Sequence, residues 1–98
     1  MTRKLTPIHP GEILYEDFIK PMGLSMNQLA RHLDVPAGRI SNIVNGKRSI
    51  SADTALRLAK YFGTTPEVWL GLQLDYDLKV VINTTWPQAE KRIHHHAA

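Results

Sequence analysis

Apolar residues recur at every third or fourth position over most of the chain, and the punctuation between these runs divides it into five helical segments. Pro10 suits the first position of a helix, where its missing N–H costs nothing. Ile13, Leu14 and Phe18 then form one face, with Glu12, Glu16 and Asp17 facing out. Pro21 biases Lys20 away from helix, so the first segment spans 10–20. Ser25 caps a second helix, Met26–Leu33, whose buried stripe is Leu29, Ala30 and Leu33. A turn at Asp34–Pro36 leads into a third, Ala37–Asn45, closed by Gly46. Ser51 caps the fourth, with Ile50 and Ala55 as a hydrophobic staple. Its apolar residues are Ala55, Leu56, Leu58, Ala59 and Phe62, and Gly63 ends it. Thr65-Pro66-Glu67 supplies a cap, a first-turn proline and an acid for the positive end of a fifth helix.

The fifth segment, Pro66 to about Asn83, differs from the rest. At about 100° per residue it carries two apolar stripes. Trp69, Leu72, Tyr76 and Val80 make one. Leu70, Leu74, Leu78 and Val81 make the other, more than a quarter-turn away. A domain this small has one core to offer, so the second stripe is expected to meet a second copy of the chain; the alternative is a helix broadly buried within the monomer. Lys79–Thr85, KVVINTT, is β-branched enough to form a strand instead, and Pro87 is expected to end either structure. The domain is thus read over residues 1–83, with a tail over 84–98 that need not be ordered.

Segments two and three satisfy the requirements of a helix-turn-helix. Ala30 is the small residue where the helices cross. Asp34, four residues on, is among the few non-glycine residues able to enter the left-handed region the turn needs. Ile40, six further on, locks the second helix against the first, and Leu29, Leu33, Val35 and Ile43 complete the seam. With that side inward, Ala37, Gly38, Arg39, Ser41 and Asn42 are left to read base edges. Arg39 can pair with guanine and Asn42 with adenine, each for ~1–3 kcal/mol of discrimination. Asn45, Lys47, Arg48 and Ser49 lie past the helix end and suit phosphate oxygens, and Ser25 and Asn27 can offer backbone N–H groups on the other flank. Arg31 divides evenly between a phosphate contact and solvation; Arg57 and Lys60 read as solvated.

Charge supports this orientation. Between Ser25 and Lys60 the chain places six basic residues against Asp34 and Asp53, more than the whole net charge of +3. No acid occurs from Pro36 to Ile50, whereas a merely soluble helix mixes both signs. The absence of cysteine excludes disulfides and thiolate metal sites. No apolar run approaches the ~20 residues of a membrane span, and the N-terminus lacks the apolar segment of a secretory signal, so a cytoplasmic location is expected. The motifs of nucleotide-binding, metallopeptidase and nucleophile-elbow enzymes are missing, and His9 and His32 read as ordinary surface or capping residues. His94–His96 could bind a metal, but reads as a polar tail or the remnant of a tag. An enzyme and any cofactor are therefore not expected. A pure interaction module is the other rival class, and it leaves the acid-free third helix unexplained.

The stretches HPGEILYEDFIKPMGLSMNQLAR and RISNIVNGKRSISADTALRLAKYFGTTPEVWLGLQLDYDL resemble the HigA-type antitoxins of the Xre/Cro-like helix-turn-helix class, over roughly His9 to Leu78. NGKR followed by SADTALRLAKYFGT and PEVWL is the most specific part. The resemblance implies an all-α, five-helix domain similar to the phage lambda repressor fold. It implies a homodimer on double-stranded DNA carrying a palindromic operator, repression of the protein's own operon, and neutralisation of a HigB-type, RelE-like ribonuclease toxin. Members without a toxin act as stand-alone regulators. The family's DNA-contacting positions fall on Ala37, Gly38, Arg39, Ser41 and Asn42. Asp34 departs from the glycine common at the turn.

Overall fold

The computed structural model describes residues 6–97, and within them the chain forms six helices and no strand. Helix α1 begins as an α-helix at Pro10–Ile13 and continues as a π-helical segment, Leu14–Ile19. Then follow α2 (Met26–Leu33), α3 (Ala37–Val44), α4 (Ala52–Phe62), α5 (Pro66–Asn83) and α6 (Trp86–Glu90). Local chemistry sets the starts. The hydroxyls of Ser25, Ser51 and Thr65 accept from the backbone N–H groups of Gln28, Thr54 and Val68. At α2 the Gln28 side chain returns the bond to the Ser25 N–H, completing a capping box.

The ends are closed by residues in the left-handed region. Asp34 (φ 58°), Gly46 (φ 75°) and Gly63 (φ 73°) follow α2, α3 and α4. After α2, Val35 N–H bonds Ala30 C=O at 3.0 Å and Asp34 N–H bonds Arg31 C=O at 3.1 Å, the paired bonds of a Schellman motif. Lys47 and Gly46 repeat the pattern on Asn42 and Ile43. Helix α1 ends at Ile19, close to the expected position, but the chain stays coiled to Gly23, where Leu24 N–H bonds Ile19 C=O. Pro21 has no N–H and would crowd the preceding turn; the wider π-helical turn just upstream gives its ring room.

The helices pack around one core. Leu14, Ile19, Leu29, Ala30, Leu33, Ile40, Ile43, Ile50, Ala55, Leu58, Ala59 and Trp69 are all buried. Trp69, fully enclosed, lies with Phe18 at 5.0 Å between ring centres, and its indole N–H donates to the Thr64 hydroxyl at 2.8 Å. Against expectation, Leu56 is 59% exposed, because it lies on the far side of α4 from Leu58. A sixth helix joins the five expected. Lys79–Asn83 stay helical, the strand alternative does not form, and α5 ends before Pro87 is reached. Thr84 takes a non-helical conformation there, its hydroxyl donating back to Val80 C=O at 2.7 Å. Pro87 instead occupies the first turn of α6.

One close approach positions the recognition unit. Gly11, in the first turn of α1, presses against the last turn of α3: a Cβ there would lie 1.8 Å from the Ile43 carbonyl oxygen. Only glycine fits without displacing backbone. Gly11→Ala is expected to lower stability by about 2–3 kcal/mol, which for a domain of this size moves the melting temperature by ~10 °C or more. Thermal unfolding followed by circular dichroism measures it; an unchanged melting temperature would show that α1 does not bear on α3 in this way.

Candidate nucleic-acid interface

Helix α3 has Ile40 and Ile43 fully buried and Val44 half-buried. Steps of about 100° then place Gly38, Asn42 and Asn45 on the opposite, outward side, and all three are exposed. Ala37 and Ser41 lie on one flank. Ala37 is exposed; Ser41 is half-buried, its hydroxyl donating to Gly38 C=O at 3.3 Å. A Cβ added at Gly38 would meet only the distal amide of Asn42, at 4.0 Å, so the outer surface of the first turn is bare backbone. Another chain can approach it closely.

The loop from Gly46 to Ser51 continues this surface. Lys47, Arg48 and Ser49 are exposed, next to exposed Asn45. A residue that the hydrophobic pattern did not single out holds the loop in place. Gln73, buried in α5, accepts from Ile50 N–H at 2.7 Å through Oε1 and donates to Asp77 at 3.0 Å through Nε2. The signal for it was a polar residue sitting between Trp69 and Tyr76 on an apolar stripe. At the other flank, the Ser25 N–H is already bonded to Gln28 and its hydroxyl caps the helix. The backbone donor expected from Ser25 is therefore committed, whereas Asn27, the other residue expected on this flank, lies in the first turn of α2, whose N–H groups have no carbonyl partner within the helix. Arg31 and Lys60 are exposed.

Arg39 lies on the other flank of α3, toward α4, with its side chain 23% exposed. Its terminal NH1 donates to Asp53 Oδ2 at 2.5 Å, and its Nε is buried without a hydrogen-bond partner. The same carboxylate oxygen accepts from Arg57 Nε at 3.0 Å. The sequence reading of Arg57 as a solvated residue is therefore corrected: its guanidinium is committed to hydrogen bonds. Its NH1 reaches the carbonyls of Leu33 at 2.8 Å and Asp34 at 3.2 Å, at the exposed carbonyl end of α2. Hydrogen bonds from Arg57 and then Arg39 hold the Asp53 carboxyl below the usual carboxylate range. The acid-free face thus borrows an acid from α4, in a clasp that linear spacing did not reveal.

On α5, Leu70, Leu74, Leu78 and Val81 are between 37% and 59% exposed, while Trp69, Leu72, Tyr76 and Val80 turn inward. Among the described residues no group of His, Cys, Asp or Glu could hold a metal ion, and no helix is long and apolar enough to cross a membrane. His32 Nδ1 lies 2.8 Å from the Tyr61 hydroxyl, and His9 is a helix cap: its Nδ1 accepts from Gly11 N–H at 2.9 Å, while its ring sits edge-on to Tyr76. Desolvation lowers the His9 pKa, opposed in part by the charge of Asp77.

The chain resembles proteins of known class. Residues 16–69 match the Helix-turn-helix family. An HTH-type transcriptional regulator of Haemophilus influenzae, its function uncharacterised, is 50% identical over 78 residues, 80% of this chain and 71% of its own. The structure of an addiction module antidote protein of a HigA family from Coxiella burnetii superposes with a TM-score of 0.89 and 52% identity, covering 94% of this chain and all of that one. The Pseudomonas aeruginosa antitoxin HigA, solved with the higBA promoter, gives 0.90 at 40% identity over 94% of this chain and all of that one.

His9 makes the stability of the fold depend on pH. As a base with a depressed folded pKa, it takes up its proton more readily when unfolded. The stability from its neutral cap is present above the unfolded value of ~6.5 and is lost as pH falls through the lower folded value. Asn keeps the cap acceptor without titrating. Between pH 7 and pH 5 the melting temperature of the wild type should fall more than that of His9→Asn; parallel curves would remove His9 as the group responsible.

Proposed function

The chain belongs to the helix-turn-helix family that includes the HigA antitoxins, a non-enzymatic family of DNA-binding proteins, and from that premise we propose that it is a sequence-specific repressor binding an operator in duplex DNA. The carrying observation is the outward side of α3: Gly38, Asn42 and Asn45 exposed together, no acid on the helix, and a pinned basic loop beyond it. Asn42 and Arg39 contribute hydrogen-bonding readout, Ala37 and Gly38 permit close backbone approach, and Ser41 lines the edge. Asn45, Lys47, Arg48, Ser49 and the start of α2 around Asn27 grip phosphates. The outer stripe of α5 pairs two copies, so that two α3 helices meet successive major grooves ~34 Å apart on an inverted repeat.

In this reading the protein represses its own operon and, as an antitoxin, neutralises a HigB-type ribonuclease toxin. The solved HigA relatives support that role. The transcriptional-regulator relative supports a second reading, repression without a toxin partner.

Neutralising about six phosphates gives a log–log salt dependence of slope roughly −5. Lys47→Ala should weaken binding to all sequences about equally and flatten that slope by ~1, measured by fluorescence anisotropy across a salt series. A loss confined to one sequence would place Lys47 on a base rather than the backbone. Leu74→Glu should yield a folded monomer with much poorer binding to the inverted repeat. Analytical ultracentrifugation showing an intact dimer would take the α5 stripe out of the assembly.

A further inference from the structure

Asp53 sits in the first turn of α4, outside the expected reading face, and yet it is the residue on which that face converges. Through one carboxylate oxygen it holds Arg39 of α3 and Arg57 of α4, and Arg57 in turn holds the Leu33 and Asp34 carbonyls at the turn. An aspartate beside a DNA-binding surface repels phosphate and lowers affinity for every sequence alike. Its side chain is 55% exposed, whereas the Arg39 side chain it pairs with is only 23% exposed.

The geometry around Arg39 shows what the carboxylate does instead. A guanidinium has five N–H donors in a rigid fork. One, on Nε, is buried and unpartnered, and one, on NH1, is taken by Asp53. The second hydrogen of NH1 and those of NH2 remain, and together they make the end-on pair that a guanine O6/N7 edge accepts. A free arginine at the same place would sweep across neighbouring phosphates as readily as bases.

We propose that Asp53 is a specificity-determining positioning residue: by clasping Arg39 across the α3–α4 boundary it directs the remaining donors to a base edge and keeps them off the backbone. This rests on the DNA-binding reading above. The carboxylate lowers general affinity and raises discrimination.

The test uses the full chain and two duplexes: one selected by the wild type from a random library, and one of scrambled sequence. Asp53→Ala removes the acceptor oxygen along with the charge. It should bind the scrambled duplex several-fold more tightly, while its ratio of selected to scrambled affinity falls about 10-fold, the size of one lost bidentate contact. Asp53→Glu, which can still accept from both arginines, should recover part of the ratio. In an Arg39→Ala background, Asp53→Ala should leave the ratio unchanged, since the group it positions is gone. Melting temperatures of each variant separate loss of fold from loss of positioning. A uniform rise in affinity with the ratio intact, or an equal drop in ratio with and without Arg39, overturns the proposal. A wild type with no sequence preference at all overturns the DNA-binding reading, and this proposal with it, a result distinct from either of those.

Discussion

The left-handed backbone at Asp34 is the constraint from which the functional surface follows. It reverses the chain after α2 within two residues and lets Val35 and Asp34 return N–H groups to Ala30 and Arg31. That reversal brings α3 across α2 where Ala30 leaves no side-chain bulk, and Ile40 and Ile43 fall into the core as a result. Once they are inside, the exposure of Gly38, Asn42 and Asn45 follows from helical geometry. A non-glycine residue in this conformation costs roughly 1–2 kcal/mol, less for aspartate, whose short polar side chain tolerates it. Two backbone bonds and the two carbonyls met by Arg57 offset that cost.

Around this turn the structure uses polar residues as fixtures. Gln73 ties the loop after α3 to the middle of α5, and the Asp53 clasp ties the start of α3 to α4 and to the turn. His9 and Gly11 set the first turn of α1 against the end of α3. Each end of the recognition helix is therefore held by another helix. Such a surface has little ordering left to do when it meets DNA, and the cost of fixing side chains on binding is correspondingly small.

The helices, their caps and the inward seam were legible in the sequence because they rest on local chemistry. Ser25, Ser51 and Thr65 bond within three residues of themselves, and the left-handed aspartate and glycines terminate helices by their own conformational freedom. The two faces of α5 were legible for the same reason, as a period within one helix. What escaped were bonds between residues far apart in the chain. Arg57 reads as solvated until the fold brings the carbonyl end of α2 beside it, and Asp53 reads as an ordinary first-turn acid until Arg39 arrives from α3. Leu56 joined the apolar run in composition but not in direction. Thr84 ended α5 ahead of Pro87, the stronger signal, because its hydroxyl turned back on Val80.

Whether the outward side of α3 enters the major groove can be read by nuclear magnetic resonance on the labelled protein as an operator duplex is added. The largest shifts are expected at the backbone of Gly38 and the side-chain amide of Asn42, with smaller ones along Gly46–Ser49 and none on the inward residues of α5. Shifts concentrated on α5 and α6, with α3 undisturbed, would contradict that placement.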